Sequence, residues 1–465
     1  MVMWLPTQLK IRSLNLFIKN KIALLGFLSA ICYFILGYFT NRSEFVTLLL
    51  FVSILFSIYF YLLQKKTDVR PNHLFMLGLF FRMVLLGCSP FLSQDFYRFI
   101  WDGRLLASGF SPFEQTPNQL INSTTMQQAK LLFDGMGSLS ASHFSNYPPV
   151  NQLLFAVAGL LSSKSIIGSI IVFRIQIIIA DVGIYFIGKK LLRVLALNEN
   201  AIFLYFLNPL VIIELTANLH FEGVMLCFFL LGIYFLLQKK LPLSALFISL
   251  AIATKLLPLL LLPILFQFIG WKKSIAFYLS IIVANGLLFL PFISNNLIHN
   301  YVDTLSLWFI NFEFNASFYY LIRAIGYYIK GYNIIGTVGK IMPILLLLFI
   351  AITAFLKNNK SPSNLFLGFL LILSVYFFQA TTVHPWYVIN LIILTCFTKF
   401  RFPIVWSFTI FLSYFAYTTP LFKENLALLF LEYIVVFGFL LFEWQRIKIT
   451  CNLNKHKKCL QNAQN

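Results

Sequence analysis

Few residues in this chain can do chemistry, and they are grouped. The stretch "SQDFYRFIWDGRLLASGFSPF", residues 93–113, carries Asp95, Arg98, Asp102 and Arg104. Ser93 suits an N-cap, Asp95 suits the positive end of a first turn, and Gly109 and Pro112 suit a stop. Together they predict a helix over 94–108. On it Asp95, Arg98 and Asp102 stand at i, i+3 and i+7 and share a face. Such a face can neutralise itself in weak ion pairs. It can equally present a carboxylate that takes the proton of an attacking hydroxyl. Spacing alone leaves both open.

Other polar residues interrupt the apolar chain at separate places. They are Tyr147 before a diproline in "NYPPVNQ", His220 and Glu222 in "NLHFEG", Lys255 in "ATKLLP", and His384 and Trp386 in "TTVHPWY". Each also has an ordinary reading. Histidine and glutamate can cap two helices where they meet water, lysine can snorkel, and Trp and Tyr anchor membrane interfaces.

The elements that must position these residues are apolar. The chain has 465 residues, 60% hydrophobic and 11% charged, with a mean hydropathy of +0.84. Runs such as "IALLGFLSAICYFILGYF" are long enough to cross a bilayer core of about 30 Å as helices. The alternating polar residues of a transmembrane β-barrel are missing. An all-α, polytopic transmembrane bundle is therefore expected. The net charge of +20 does not indicate nucleic acid, because the bases are dispersed between apolar runs. They mark the cytoplasmic side instead. The start, "MVMWLPTQLKIRSLNLFIKNK", is too polar and too long for a cleaved signal. The six cysteines suggest neither a disulfide framework nor a metal site.

Threading by the positive-inside rule gives about fourteen spans with both termini cytoplasmic. Residues 147–163 are read as a helix on the outer surface, since a span there would put Lys189, Lys190 and Arg193 outside. The expected regions are N-terminal spans (1–90), an outer catalytic loop with surface helices (91–165), and a core bundle (166–294). A second outer loop (295–336), a C-terminal bundle (337–444) and a basic cytoplasmic tail (445–465) follow. Every residue of chemical interest named above then lies at an outer end. Lysines are scarce on that side, which argues that Lys255 is used. Arg82, Arg174 and Asp181 fall mid-span and are expected to pair within the bundle.

The stretches "SQDFYRFIWDGRLLASGFSPF", "YPPVNQLLFA", "FLNPLVIIELTANLHFEG", "AIATKLLPLLLLP" and "VHPWYVI" come in the order seen in bacterial glycosyltransferases of the C-type fold. More narrowly, the chain resembles polyprenyl-phosphate-sugar-dependent mannosyltransferases over about residues 72–400. The resemblance implies a bacterial cytoplasmic-membrane enzyme with its active site on the outer face. It implies a polyprenyl-phosphate-linked donor, a sugar that is expected to be mannose, and inversion at the anomeric carbon. The acceptor would be a glycan, a glycolipid or a protein. Asp95 matches the acidic residue of the first outer loop that serves as catalytic base, with Asp102 as second choice. Arg98, Lys255 and His384 are expected at the donor phosphate. Tyr147, His220, Glu222 and Trp386 are expected at sugar or acceptor hydroxyls. Two spans precede the usual first one, which preserves the side of the site. Some members use a divalent metal, and the sequence has no obvious metal triad, so a metal stays open. The expected partners are the lipid-linked donor, the acceptor and membrane lipid, not nucleic acid.

Two other readings compete. A transporter or flippase of lipid-linked sugars would place charges near the bilayer midplane, and Arg82, Arg174 and Asp181 keep that reading open. A lipid-linked oligosaccharide polymerase or ligase should carry a larger, arginine-rich outer loop, whereas 295–336 holds only Arg323.

Overall fold

The computed structural model describes residues 7–65, 69–310 and 312–462, with side chains described from 21 to 306 and 312 to 449 within those ranges. The side chains of the basic tail "KHKK" lie outside the described residues. Apolar runs without water partners must satisfy their backbone internally, and this chain does so with helices. The one β-feature among the described residues is an isolated bridge between Phe314 and Thr382.

Seven of the described helices are long and apolar enough to cross a membrane. They are Lys21–Phe39, Phe45–Gln64, Ile166–Val194, Trp271–Phe292, Ile335–Phe355, Pro362–Gln379 and Leu426–Ile449. The pair Glu199–Phe206 and Pro209–Ala217, bent by 54°, would make an eighth. The expectation of fourteen spans is thus not met. The reason is proline. Pro209, Pro258, Pro385 and Pro403 sit in first turns, where a proline starts one helix and ends the one before it. Several apolar runs therefore become short helices, such as Leu241–Thr254, Leu257–Ile269 and Pro385–Thr395.

The mid-bundle charges pair with the bundle, as expected. Arg82 Nε donates to Asp181 Oδ2 at 2.8 Å, and its Nη1 donates to the carbonyls of Gly78 and Phe206. The Tyr205 hydroxyl donates to the other Asp181 oxygen at 2.8 Å. Arg174 donates to the carbonyls of Thr216, Ala217 and Leu86. Two of these carbonyls end the Ile212–Ala217 turn of the bent pair, where helix carbonyls lack partners. Both arginines and Asp181 are fully buried. The charges that kept a transporter open are consumed in bracing.

Between residues 91 and 165 the helices are short. Asp95–Ala107 and Pro149–Leu161 have 13 residues each, too few to span. They cross with their backbones in contact. A Cβ on Gly103 would sit 2.1 Å from the Phe155 carbonyl oxygen, and one on Gly159 would sit 2.4 Å from that of Gly103. Phe99 stacks on Phe155 at 4.7 Å, and both rings meet Phe173 and Phe221 edge-on. This aromatic block fixes the motif helix against the membrane helix Ile166–Val194 and against the "NLHFEG" turn.

Candidate active site

The N-terminus of the motif helix is held from three sides. Phe91 and Leu92 donate backbone N–H groups to Asn218 Oδ1 at 3.1 and 2.9 Å. Gln94 donates to the Met136 carbonyl at 3.1 Å and accepts from Arg42 at 3.2 Å. Ser93, expected as the N-cap, lies one residue before it: Gln94 is the N-cap and makes no side-chain capping bond, while Ser93 Oγ accepts the Asp95 N–H at 3.2 Å. The helix begins at Asp95.

Asp95 is half-buried, and among the described residues its carboxylate enters no salt bridge. Burial pushes its pKa up to about 6, from a model-peptide value of 3.8. The nearby Lys255 ammonium pulls it back, Glu222 adds to the rise, and Ser93 and Arg42 oppose it. Tyr147, Tyr387, Tyr414 and Tyr417 are within electrostatic reach of the same carboxylate. Residues from six separate parts of the chain therefore meet around Asp95.

Lys255 pairs with Glu222 Oε1, and its side chain remains 22% exposed. His220 and His384 both stack on Trp386, at ring separations of 3.7 and 4.4 Å. Burial, reinforced by the Lys255 charge, holds both imidazoles neutral, with His384 lowered to about 3. Three buried polar atoms in this group have no hydrogen-bond partner: His220 Nε2, His384 Nδ1 and Glu222 Oε2. Buried polar atoms are seldom left unsatisfied, so a cluster of them marks a place where a polar ligand fits. The loop carrying His384 is stitched to the segment around Phe314. Phe314 N–H donates to the Thr381 carbonyl at 3.1 Å, and Val383 N–H donates to the Phe314 carbonyl at 2.8 Å.

Not every expected residue joins this group freely. Asp102 is fully buried. One oxygen accepts from Arg98 Nε at 2.7 Å, and the other accepts from Ser145 at 2.6 Å and Gln152 at 3.3 Å. Arg98 spends Nη1 on the carbonyls of Ser140 and His143. Both side chains, expected at the base and at the donor phosphate, are engaged here in joining the motif helix to residues 140–152. His384, expected at the phosphate, would offer a hydrogen bond there but no charge. Tyr147 belongs to the aromatic block, 5.1 Å from Phe99. Arg104, buried, donates to the Gln127 carbonyl at 2.6 Å and braces the loop before the next helix.

Sequence reasoning missed Arg42, Glu214, Asn218 and Tyr414. Glu214 is fully buried, accepts the Tyr414 hydroxyl at 2.6 Å and lies 3.6 Å from His220 Nε2. Its signal was an acid inside the apolar "NPLVIIELTANLHFEG". For Arg42 the signal was a lone base in a short turn on the lysine-poor side. Among the described residues no three His, Cys, Asp or Glu side chains gather as a metal site would need, so no step is routed through a metal.

The motif helix, the "NLHFEG" turn and Lys255 all fall within residues 31–272. That segment matches the model of a family described as "Alpha-(1->6)-mannopyranosyltransferase, N-terminal domain". Over 146 residues the chain is also 27% identical to alpha-(1->6)-mannopyranosyltransferase B of Corynebacterium glutamicum. That alignment covers 31% of this chain and 23% of the relative, so it spans about a quarter of the relative's length. The family match takes in just over half of the chain, and the chain belongs to the family of the alpha-(1->6)-mannopyranosyltransferase N-terminal domain.

Proposed function

We propose that this chain is an integral-membrane mannosyltransferase. It moves a mannosyl unit from a polyprenyl-phosphate donor to a hydroxyl of a glycan, glycolipid or protein on the non-cytoplasmic face. The observation that carries the reading is Asp95. It is a half-exposed carboxylate outside any salt bridge, with a raised pKa, surrounded by Lys255, Glu222 and unsatisfied histidine nitrogens, in a chain of this family.

The chemistry follows from these groups. The acceptor hydroxyl gives its proton to Asp95 as its oxygen attacks the anomeric carbon. The bond from that carbon to the phosphate oxygen breaks, and the electron pair leaves on polyprenyl phosphate. The growing phosphate charge needs a cation, and Lys255 supplies one when its ammonium is shared between Glu222 and the leaving group. Arg42, bonded to Gln94 beside Asp95, adds a second positive charge. Neutral His220 and His384 offer single hydrogen bonds to sugar hydroxyls, and Trp386 offers an apolar face. If the product linkage is alpha, as in the relative's name, inversion requires a donor of beta configuration.

A groove between the helices Ile335–Phe355 and Pro362–Gln379 supports a lipid-linked donor. Its walls include Met342, Pro343, Leu346 and Tyr376, and it ends at Thr382 and Tyr387. Tyr387 lies 5.4 Å from His384. An apolar chain in this groove would bring its phosphate end to the polar cluster.

The test is transfer by purified, folded protein with polyprenyl-phosphate mannose and a panel of mannoside acceptors. Product is expected with wild type and is lost with Asp95→Asn. Near-wild-type transfer by Asp95→Asn would remove the base from this reading. Absence of transfer from every polyprenyl-phosphate sugar would remove the reading itself.

A further inference from the structure

A second cavity, of about 300 Å³, lies far from Asp95. It is lined by Lys399, Arg401, Phe439, Phe442, Glu443 and Arg446. The helix that carries the last four starts at Leu426 beside the second outer segment, where Glu432 accepts from Asn315 at 3.0 Å. Glu443 is eleven residues further on, about 16 Å along the axis at 1.5 Å per residue. Lys399 and Arg401 come from the turn between Ile389–Thr395 and Phe402–Thr409.

We propose that this cavity binds the phosphate headgroup of an anionic phospholipid. Its polar floor is built. Glu443 is 8% exposed, and its oxygens accept the backbone N–H groups of Arg401 at 2.8 Å and Phe402 at 2.9 Å. Arg401 in turn donates to the carbonyls of Thr395, Thr398 and Phe400, each at 2.8 Å. The carboxylate and Arg401 are both spent on the turn, so the cations at the rim of the space are Lys399 and Arg446, both exposed.

The walls select the ligand class. Phe442 is 56% exposed, and Trp444, outside the lining on another face of the same helix, is 60% exposed. Exposed tryptophans of membrane proteins sit at headgroup level. A free inorganic anion would use the cations and leave the phenylalanines unused. A hydrocarbon would do the reverse. A phospholipid uses both, with its phosphate on the cations and its acyl chains along Phe442. Basic pockets between helices at this depth hold anionic headgroups by the same physics.

The experiment is lipid retention by the full-length, delipidated protein, read by native mass spectrometry. The probes are phosphatidylglycerol, phosphatidylcholine and inorganic phosphate, each added separately. Wild type is expected to retain phosphatidylglycerol at least about tenfold over phosphatidylcholine, since two charges each contribute on the order of 1 kcal/mol. Lys399→Gln with Arg446→Gln should lose that preference. The paired control Lys239→Gln with Lys240→Gln, in another exposed basic turn, should keep it. Equal retention by the Lys399/Arg446 variant and wild type would overturn the proposal, because diffuse positive charge would suffice. Retention of inorganic phosphate as strong as that of the lipid would overturn it in favour of a small-anion site. Should the double variant fail to fold, Phe442→Ala keeps every charge. It is expected to weaken retention of phosphatidylglycerol but not of its soluble headgroup glycerophosphate, and unchanged retention counts against the proposal. None of these readouts depends on sugar transfer.

Discussion

Asp95 and Asp102 stand seven residues apart on one face of one helix, yet they occupy opposite chemical states. Asp102 is fully buried and saturated by Arg98, Ser145 and Gln152. Asp95 is half-exposed, outside any salt bridge, and raised to about 6 by burial. A carboxylate that is fully hydrogen-bonded holds structure together, and one left under-bonded near a cation is available for proton transfer. The largest effect should separate them by kind. Asp95→Asn is expected to lower kcat by about 10²- to 10⁴-fold, the usual contribution of a general base. The fold should not suffer. Because burial lifts the folded pKa above the unfolded one, the charged form opposes folding, and that cost appears as pH rises through about 6. The melting temperature of the asparagine variant should therefore equal or exceed that of wild type at pH 8. A clear drop there would make Asp95 a second Asp102.

Asp102→Ala is expected to do the reverse. Removing one partner of a buried pair strands the other, at about 3–5 kcal/mol. Denaturation of the purified protein should show that loss, with the activity per folded molecule affected less than in Asp95→Asn. Next in size is Gly103→Ala. Its Cβ would fall 2.1 Å from the Phe155 carbonyl oxygen, so the two surface helices must separate. Overpacking of this kind costs about 1–3 kcal/mol. It should also lower kcat, because the helix that aims Asp95 moves; unaltered stability and activity would show that the close crossing is not needed.

This contrast explains what the sequence could and could not disclose. Helix type, the short helix within 147–163 and the shared face of the motif helix were legible, since each depends on local periodicity and proline placement. The saturation of Asp102 was not. Its partners Ser145 and Gln152 are 43 and 50 residues away in the chain, and no spacing rule links them. The span count failed for a related reason. Hydropathy sums across Asn208 and Pro209 as if the run were straight, whereas the helix bends there by 54°. His384 was expected to add a donor at the phosphate, and its charge state was not legible because it depends on burial, which beside Lys255 keeps it neutral. Arg42 was overlooked because its one signal, a lone base in a short turn, does not say that it reaches Gln94, 52 residues on.

The smallest expected effect tests how finely Asp95 is set. If Asp95 is the base, kcat/KM should fall on the acid side with a midpoint near pH 6, because only the carboxylate form accepts a proton. The neighbours should then move that midpoint in opposite directions. Lys255 favours the charged form, so Lys255→Met should raise it. Glu222 disfavours the charged form, so Glu222→Gln should lower it, and the freed Lys255 would push the same way. Shifts of roughly one pH unit or less correspond to about 1.4 kcal/mol or less of interaction, small beside the loss of the base itself. Asp102 lies in a closed network, so a limb that followed Asp102→Asn instead of Lys255 and Glu222 would exchange the roles of the two acids. Opposite shifts from the lysine and the glutamate would tie the titrating group to the open end of the helix.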